Sequence, residues 1–254
     1  MEDDTPVEDG SQAVLKVSIQ VSDNDLVKSE AETLLSLYPP DQADEKFYRY
    51  LPKLLMPEPF TVWGRQANIM PLVADHLSLA EIAVAYPDGI DYRDFVWMFK
   101  RALVGLGFAH SRGFIHGSVI PPHILVHPVG HGAKIIDWCY AVATTGKQSV
   151  KSYSADYESY LAPEVFNRRF PTPATDIYML AKCAVALLGG DVKTNKMPDT
   201  VPKEIQRLFL ACLESEPSSR PLDAWKLHDT FSALVKKVVG KPKYREFHMP
   251  AATP

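Results

Sequence analysis

The stretch from Gly113 to Tyr140 most constrains the fold of this chain. Its sequence reads GFIHGSVIPPHILVHPVGHGAKIIDWCY, a short strand and a polar loop followed by two more strands. The apolar runs from Ile124 to His127 and from Ala133 to Asp137 are predicted as strands. The segment between them holds a proline and two glycines, which favours a hairpin turn. The polar loop before the hairpin, and Asp137 at its end, are the candidate functional parts of the stretch.

The composition of the chain predicts a substantial core. The chain has 254 residues, 46% of them hydrophobic, which is enough for one large domain or two small lobes. Its net charge of −4 lacks the basic bias that is typical of nucleic-acid binding. The acidic start MEDDTPVEDG is not a secretory signal, and the apolar run over residues 181–190 is too short to span a bilayer.

The number and spacing of the cysteines indicate the cellular compartment. Cys139, Cys183 and Cys212 lie far apart, and no CxxC pair occurs. This sparse, odd set argues against a disulfide framework and fits a reducing compartment. We therefore expect a cytoplasmic protein that binds neither nucleic acid nor membrane.

The N-terminal part of the chain is predicted to be one strand followed by one helix. Residues 13–21 are rich in β-branched side chains and carry Lys16 in their middle. Asp23 or Asn24 is placed to cap the helix that follows, and Glu30 lies on that helix. Taken alone, Lys16 and Glu30 are ordinary surface residues.

Helices dominate the sequence beyond residue 77. Residues 92–111 have helical periodicity, and Asp91 is a suitable N-cap. A helix that begins near Asp176 is apolar nearly all round and must be buried. Two amphipathic helices are predicted near the end, over residues 202–214 and 222–239.

Six elements, taken in order, resemble those of the protein kinase superfamily. They are Lys16, Glu30, His116, Asp137, Asp176, and the Ala162-Pro163-Glu164 tripeptide together with Arg220. Each is weak alone, and their order and spacing over residues 13–239 carry the resemblance. It implies an α+β, two-lobed protein-kinase-like fold with a reduced N-terminal β lobe and a mainly helical C-terminal lobe. The His-Gly and Ile-Asp-Trp sequences also resemble the aminoglycoside and choline phosphotransferases.

The resemblance divides the chain into parts. Residues 13–74 match the N-terminal lobe and residues 75–239 the C-terminal lobe. Residues 1–12 form an acidic tail that is expected to be disordered, and residues 240–254 a tail that is expected to be flexible. The family's Gly-rich loop is missing, since Gly10 is the only glycine before Lys16. Either the lobe is naturally reduced or the chain is a fragment of a longer protein.

The resemblance also implies roles for individual residues near a nucleotide. Lys16 would hold phosphates and pair with Glu30, with Glu32 as a second candidate for the pair. Asp137 would bind the metal. The nucleotide cleft would be lined by residues of the strand before the hinge, namely Met70, Leu72 and Val73. ATP and Mg²⁺ are the cofactors that such a site implies.

Three further residues have structural roles in the family. Glu164 would pair with Arg220. Asp176 would tie the N-terminus of its helix to the backbone of the catalytic loop, beneath which His116 would pack.

Two positions of the catalytic loop depart from the family. Ser118 stands where the family has its catalytic Asp, and His123 where it has a metal-binding Asn. A general base typically contributes about 10² to 10⁴ in rate, and a hydroxyl is a poor substitute for it. Imidazole is a poor ligand for Mg²⁺, which prefers oxygen. These departures predict a pseudokinase that binds protein partners of unknown identity, with phosphotransfer absent or weak and residual nucleotide binding open.

The alternative is an active, atypical enzyme. It would be an ATP-dependent Ser/Thr protein kinase or a small-molecule phosphotransferase that uses Asp137 for Mg²⁺. His116, His123 or Asp156 would then take over the missing catalytic roles.

Three further expectations concern the surroundings of the loop. The close spacing of His116, His123, His127 and His131 suggests a transition-metal site, but structural and solvent-facing roles are favoured, so no transition metal is expected. Gly117 stands where the family has the Arg that pairs with a phosphorylated activation segment, so that switch is expected to be absent. The reduced lobe is expected to expose a hydrophobic docking patch formed by Phe47, Tyr48, Tyr50 and Leu51.

Overall fold

The computed structural model describes residues 12–38, 45–146, 148–241 and 243–250. Residues 1–11, most of the tail that is predicted to be disordered, lie outside the described residues, as do residues 251–254. Within the described ranges, no helix combines the length and the apolar character needed to cross a membrane.

A small antiparallel sheet and one long helix form the N-terminal lobe. The strands are β1 (Ala13–Val17), β2 (Phe60–Val62) and β3 (Arg65–Pro71), in the order β1-β3-β2. Helix α1 (Asn24–Leu37) packs against β3, and the short helix α2 (Glu45–Tyr48) follows it. The hairpin between β2 and β3 turns on Trp63 and Gly64, whose φ angles of 51° and 76° suit a two-residue turn. The register of the sheet places Lys16 opposite Asn68.

Helices form most of the C-terminal lobe. They are α3 (Leu79–Ala85), α4 (Tyr92–Ser111), α5 (Pro163–Phe166), α6 (Pro173–Leu187), α7 (Lys203–Cys212) and α8 (Ala224–Val239). The predicted bounds of α4 are confirmed, and the Asp91 carboxylate caps it by accepting from the backbone N–H of Arg93 at 2.9 Å. Helix α6 is buried over nearly its whole length, as its apolar sequence requires.

The segment between α4 and α5 contributes strands to two small sheets. One has the order β4-β6-β7, with β4 (Leu77–Ser78), β6 (Ile124–His127) and β7 (Gly132–Ile135). The other pairs β5 (Phe114–Ile115) with β8 (Val142–Ala143). The predicted hairpin of β6 and β7 is present, but β7 ends before Asp137. Asp137 has a left-handed φ of 64°, which does not continue a strand. The small sheets and the mainly helical C-terminal part confirm the predicted α+β class.

The aromatic segment after α2 is not an exposed patch. Tyr50 is 4% exposed and Leu51 is fully buried. Phe47 stacks on Phe108 of α4 with ring centroids 5.2 Å apart, and Tyr48 packs against the same ring at 6.2 Å. The prediction of a docking patch here was wrong, because the C-terminal lobe covers these side chains.

The C-terminal segment of residues 243–250 lies along the C-terminal lobe. Phe247 is 5% exposed and packs against Tyr86, with ring centroids 5.8 Å apart. The Tyr244 hydroxyl donates to the carbonyl of Val129 at 2.9 Å. The flexibility of residues 240–254 stays a prediction, and these contacts favour an ordered segment.

Candidate active site

Asp176 fixes the backbone of the loop that contains Ser118. Its two carboxylate oxygens accept from the backbone N–H groups of His116 at 2.8 Å and Gly117 at 2.9 Å. The Nε2 atom of His110 lies 2.8 Å from the same carboxylate. A fully buried carboxylate needs such partners. The loop backbone is therefore held by α6, whatever side chains the loop carries.

His116 joins this loop to the end of β7. Its Nε2 donates to the carbonyl of Ile136 at 3.0 Å, and its Nδ1 accepts from the backbone N–H of Ser118 at 3.2 Å. Burial lowers the pKa of His116 to about 4. The ring is therefore neutral at pH 7, as an accepting Nδ1 requires. Because the side chain is fully buried, His116 is placed as a structural contact rather than as a substitute base.

Lys16, Glu30 and Asp137 form one ionic cluster between the lobes. Lys16 Nζ lies 2.9 Å from Glu30 Oε1 and also contacts Asp137 Oδ1. Glu30 is fully buried and accepts from the backbone N–H of Trp138 at 3.1 Å. Burial opposes the charge on Lys16, but the two carboxylates raise its pKa well above the usual range. The structure thus brings together the strand lysine, the helix glutamate and the aspartate beyond β7.

His123 contacts the other carboxylate oxygen of Asp137. Its Nε2 lies 2.9 Å from Asp137 Oδ2, while its Nδ1 faces the carbonyl of Ser118 at 2.8 Å. A carbonyl and a carboxylate both accept hydrogen bonds, so the ring of His123 lies between two acceptors. Burial raises the pKa of Asp137, but His123 and Lys16 outweigh it and hold that pKa well below the usual range. The two oxygens of Asp137 are therefore engaged by Lys16 and His123, one each.

The residues around Asp137 do not fit a magnesium ion. Mg²⁺ requires near-octahedral oxygen ligands and keeps several waters. Here one oxygen of Asp137 contacts the Lys16 ammonium and the other the ring of His123. The position that holds a metal-binding Asn in the family carries an imidazole ring instead.

A cleft of about 570 Å³ opens beside this cluster. Met70, Leu72 and Val73 line it from the N-terminal lobe, and Leu125 and Ile136 line it from the C-terminal lobe. Its size and mainly apolar walls suit a small organic ligand.

Two predicted candidates lie outside the cluster. Glu32 is exposed on α1 and pairs with Lys28 at 3.8 Å, so Glu30 is the partner of Lys16. His131 stacks on Trp97 with ring centroids 4.1 Å apart and packs against Tyr244 at 4.7 Å. It is therefore held by aromatic packing rather than facing solvent freely.

Sequence analysis missed Asn68 and Cys139. The side-chain amide of Asn68 donates to Glu30 Oε2 at 3.1 Å and to the Val27 carbonyl at 2.9 Å, which orients the glutamate. An Asn inside an apolar strand was the available signal, because a buried amide needs partners. Cys139 lies with Glu30 and Asp137, their donor atoms within 4.8 Å of one another. Burial raises the pKa of its thiol, and the Lys16 ammonium contacts both carboxylates of this group.

Position 117, where the family has an Arg, carries no charge here, and other contacts hold the segment after Asp137. Gly117 has a left-handed φ of 75°, and a Cβ there would lie 2.9 Å from both the Tyr140 carbonyl oxygen and Val150 Cγ2. Val150 is 1% exposed, so an apolar side chain fills the space beside the loop. Arg168 donates to the carbonyls of Val150 at 3.0 Å and Lys151 at 2.6 Å.

Glu164 and Arg220 form a buried, bidentate ion pair. The Nη1–Oε1 and Nη2–Oε2 distances are 2.7 Å and 3.0 Å. The Thr175 hydroxyl donates to Glu164 Oε1 at 2.7 Å, which ties the pair to the first turn of α6. The pair therefore joins three segments of the C-terminal lobe.

Comparison with protein-family models decides the family. The model of the protein kinase domain matches residues 65–240, more than half of the chain. The chain belongs to the protein kinase family. Lys16 and Glu30 precede the matched residues, so their assignment in this kinase domain rests on the geometry of the ionic cluster.

Individual kinases resemble the chain over about half its length. Serine/threonine-protein kinase PkaB of Streptomyces coelicolor is 30% identical over 160 residues, which cover 54% of this chain and 38% of that protein. Mitogen-activated protein kinase kinase kinase 3 of Arabidopsis thaliana is 26% identical over 153 residues, or 52% of this chain and 27% of that protein. Serine/threonine-protein kinase CST20 of Candida albicans is 24% identical over 151 residues, or 52% and 12%. The chain thus spans well under half the length of these relatives.

Proposed function

We propose that this kinase domain is a pseudokinase that acts as a protein-binding or scaffolding module. Phosphotransfer is absent or weak, and the cleft keeps residual nucleotide binding. The contact between His123 and Asp137 carries the proposal, because it places an imidazole ring on the carboxylate that a kinase needs as a metal ligand. Ser118 adds a second loss, since its hydroxyl cannot act as the loop carboxylate does.

The two losses affect different parts of phosphoryl transfer. A missing general base typically lowers the rate by about 10² to 10⁴. The metal ions neutralise charge that develops on the phosphoryl group, so displacing them removes an independent contribution. Asp176 and the Glu164–Arg220 pair keep the loop and the C-terminal lobe in place, which supports retention of the fold for binding.

A protein partner is the natural ligand of such a module, and its identity is open. The three cysteines are buried and form no disulfide, which supports a cytoplasmic location.

The second candidate is an active enzyme, either an atypical ATP-dependent Ser/Thr kinase or a small-molecule phosphotransferase. The intact pair of Lys16 and Glu30 beside Asp137 favours it. The relatives named above are called kinases, which gives the same support. In this case His123 would have to leave Asp137 before Mg²⁺ could bind there.

A phosphotransfer assay separates the two candidates. Wild-type protein and Asp137→Ala are incubated with γ-labelled ATP and Mg²⁺, with themselves, a general protein substrate and small hydroxyl compounds as acceptors. We expect no label in the wild type above that of the variant. Turnover in the wild type that Asp137→Ala abolishes would support the active enzyme and refute the pseudokinase proposal. Affinity capture followed by mass spectrometry then identifies partners.

A further inference from the structure

We propose that the cleft binds a purine nucleotide without a divalent metal ion, because the ring of His123 takes the place of the metal. The inference rests on the proposed function, in which the cleft keeps nucleotide binding after losing turnover. It differs from the behaviour of active kinases, where metal ions bridge the nucleotide phosphates and the aspartate.

The ring of His123 is fixed in orientation and is not a mobile surface group. Its Nδ1 is held by the Ser118 carbonyl at 2.8 Å, which points Nε2 at Asp137, 2.9 Å away. Its side chain is 15% exposed. The amide that the family places here offers an oxygen to a metal, whereas the imidazole ring offers none and covers Asp137 Oδ2.

Both oxygens of Asp137 are occupied without a metal. Lys16 contacts Oδ1, and the Nε2 atom of His123 lies 2.9 Å from Oδ2. A divalent ion at Asp137 would have to displace one of these side chains, and the Lys16 ammonium would repel it. Mg²⁺ is therefore disfavoured even where nucleotide phosphates are present.

The remaining surfaces of the cleft suit a nucleotide. Met70, Leu72 and Ile136 give apolar walls for a planar base. Lys16 lines the same cleft, and its ammonium has three N–H groups, of which Glu30 and Asp137 take two. The third N–H supplies the attraction for a phosphate that a metal ion would otherwise provide.

The test compares nucleotide binding with and without metal. Fluorescent ADP is titrated with the full chain in EDTA and in excess MgCl₂. We expect dissociation constants that agree within about twofold in the wild type. In His123→Asn, which restores the neutral amide of the family, we expect Mg²⁺ to tighten binding at least about tenfold. His127→Asn, on strand β6 directly after His123, is the matched control and is expected to behave as the wild type.

A direct metal measurement supports the comparison. Electron paramagnetic resonance of Mn²⁺ is expected to show no ADP-dependent metal binding to the wild type and clear binding to His123→Asn. Circular dichroism checks that each variant is folded. If His123→Asn does not fold, the comparison of wild-type binding with and without Mg²⁺ still tests the inference.

Binding to the wild type that Mg²⁺ strengthens about tenfold or more would overturn the inference, as would no binding in either buffer. The second result would leave the scaffolding proposal standing. Metal-free binding together with phosphotransfer in the assay above would have the opposite effect, since it would refute the pseudokinase and keep the inference.

Discussion

The buried ion pair of Glu164 and Arg220 gives a sharp test of how the C-terminal lobe is held together. We predict that Arg220→Met, which keeps much of the side-chain volume, destabilises the domain by about 3–5 kcal/mol. The Arg220 side chain is fully buried and that of Glu164 is 3% exposed, so the variant leaves a carboxylate buried without its cation.

The other contacts of Arg220 place the loss of stability at the upper end of this range. Its Nε donates to the Glu214 carbonyl at 2.6 Å and its Nη2 to the Ser215 carbonyl at 2.7 Å. Each lost hydrogen bond contributes about 1 kcal/mol. Since domains of this kind are stable by only about 5–15 kcal/mol, the variant should unfold at markedly lower urea concentration.

Urea unfolding measures the effect. The set is the wild type, Arg220→Met, Glu164→Met and the double variant. Because removing both charges leaves none unpaired, the double variant should lose at least about 2 kcal/mol less than the sum of the single variants. Arg207→Met, at an exposed position of α7, is the control and should change stability by less than about 0.5 kcal/mol. A loss below about 1 kcal/mol in Arg220→Met would refute the reasoning.

Three further predictions concern the loop and the tail. Gly117→Ala should cost at least about 1–2 kcal/mol in urea unfolding, because its φ is left-handed and its Cβ meets the Tyr140 carbonyl. Since the pKa of His116 is about 4 when folded and 6.5 when unfolded, its contribution to stability is present above pH 6.5. That contribution is lost as pH falls, by about 2 kcal/mol at pH 5, so His116→Gln should show a smaller loss than the wild type over this interval. Phe247→Ala should speed proteolysis within residues 243–250 while leaving the global unfolding midpoint almost unchanged, and an unchanged rate would contradict the packing described here.

The parts of the fold with strong local signals could be predicted from the sequence. Helix α4 follows from its periodicity and its Asp91 cap, and the burial of α6 follows from an apolar surface on all sides. These features depend on residues that are near each other in the chain, so their pattern is visible without the structure.

The chemistry of the site depends on contacts between distant residues and could be predicted only in part. The pairing of Lys16 with Glu30 was expected from the family, but the contact between His123 and Asp137 was not. That contact depends on the hydrogen bond between the Ser118 carbonyl and the ring, which orients the other ring nitrogen towards Asp137. No sequence pattern encodes this orientation. The packing of Val150 against Gly117 is of the same kind.

The aromatic segment after α2 shows the limit of local reasoning about exposure. Phe47 and Tyr48 belong to the smaller lobe in sequence but pack on Phe108 of α4. A hydrophobic residue is assigned to a surface or to a core only when its packing partner is known, and here the partner is about 60 residues away in the chain.

The measurement that tests the central claim most directly is transfer of label from γ-labelled ATP by the wild type and by Asp137→Ala, in Mg²⁺ and in Mn²⁺. The account predicts that the two proteins give the same background with every acceptor, because Asp137 is engaged by Lys16 and His123. Steady turnover by the wild type that disappears in Asp137→Ala would contradict it.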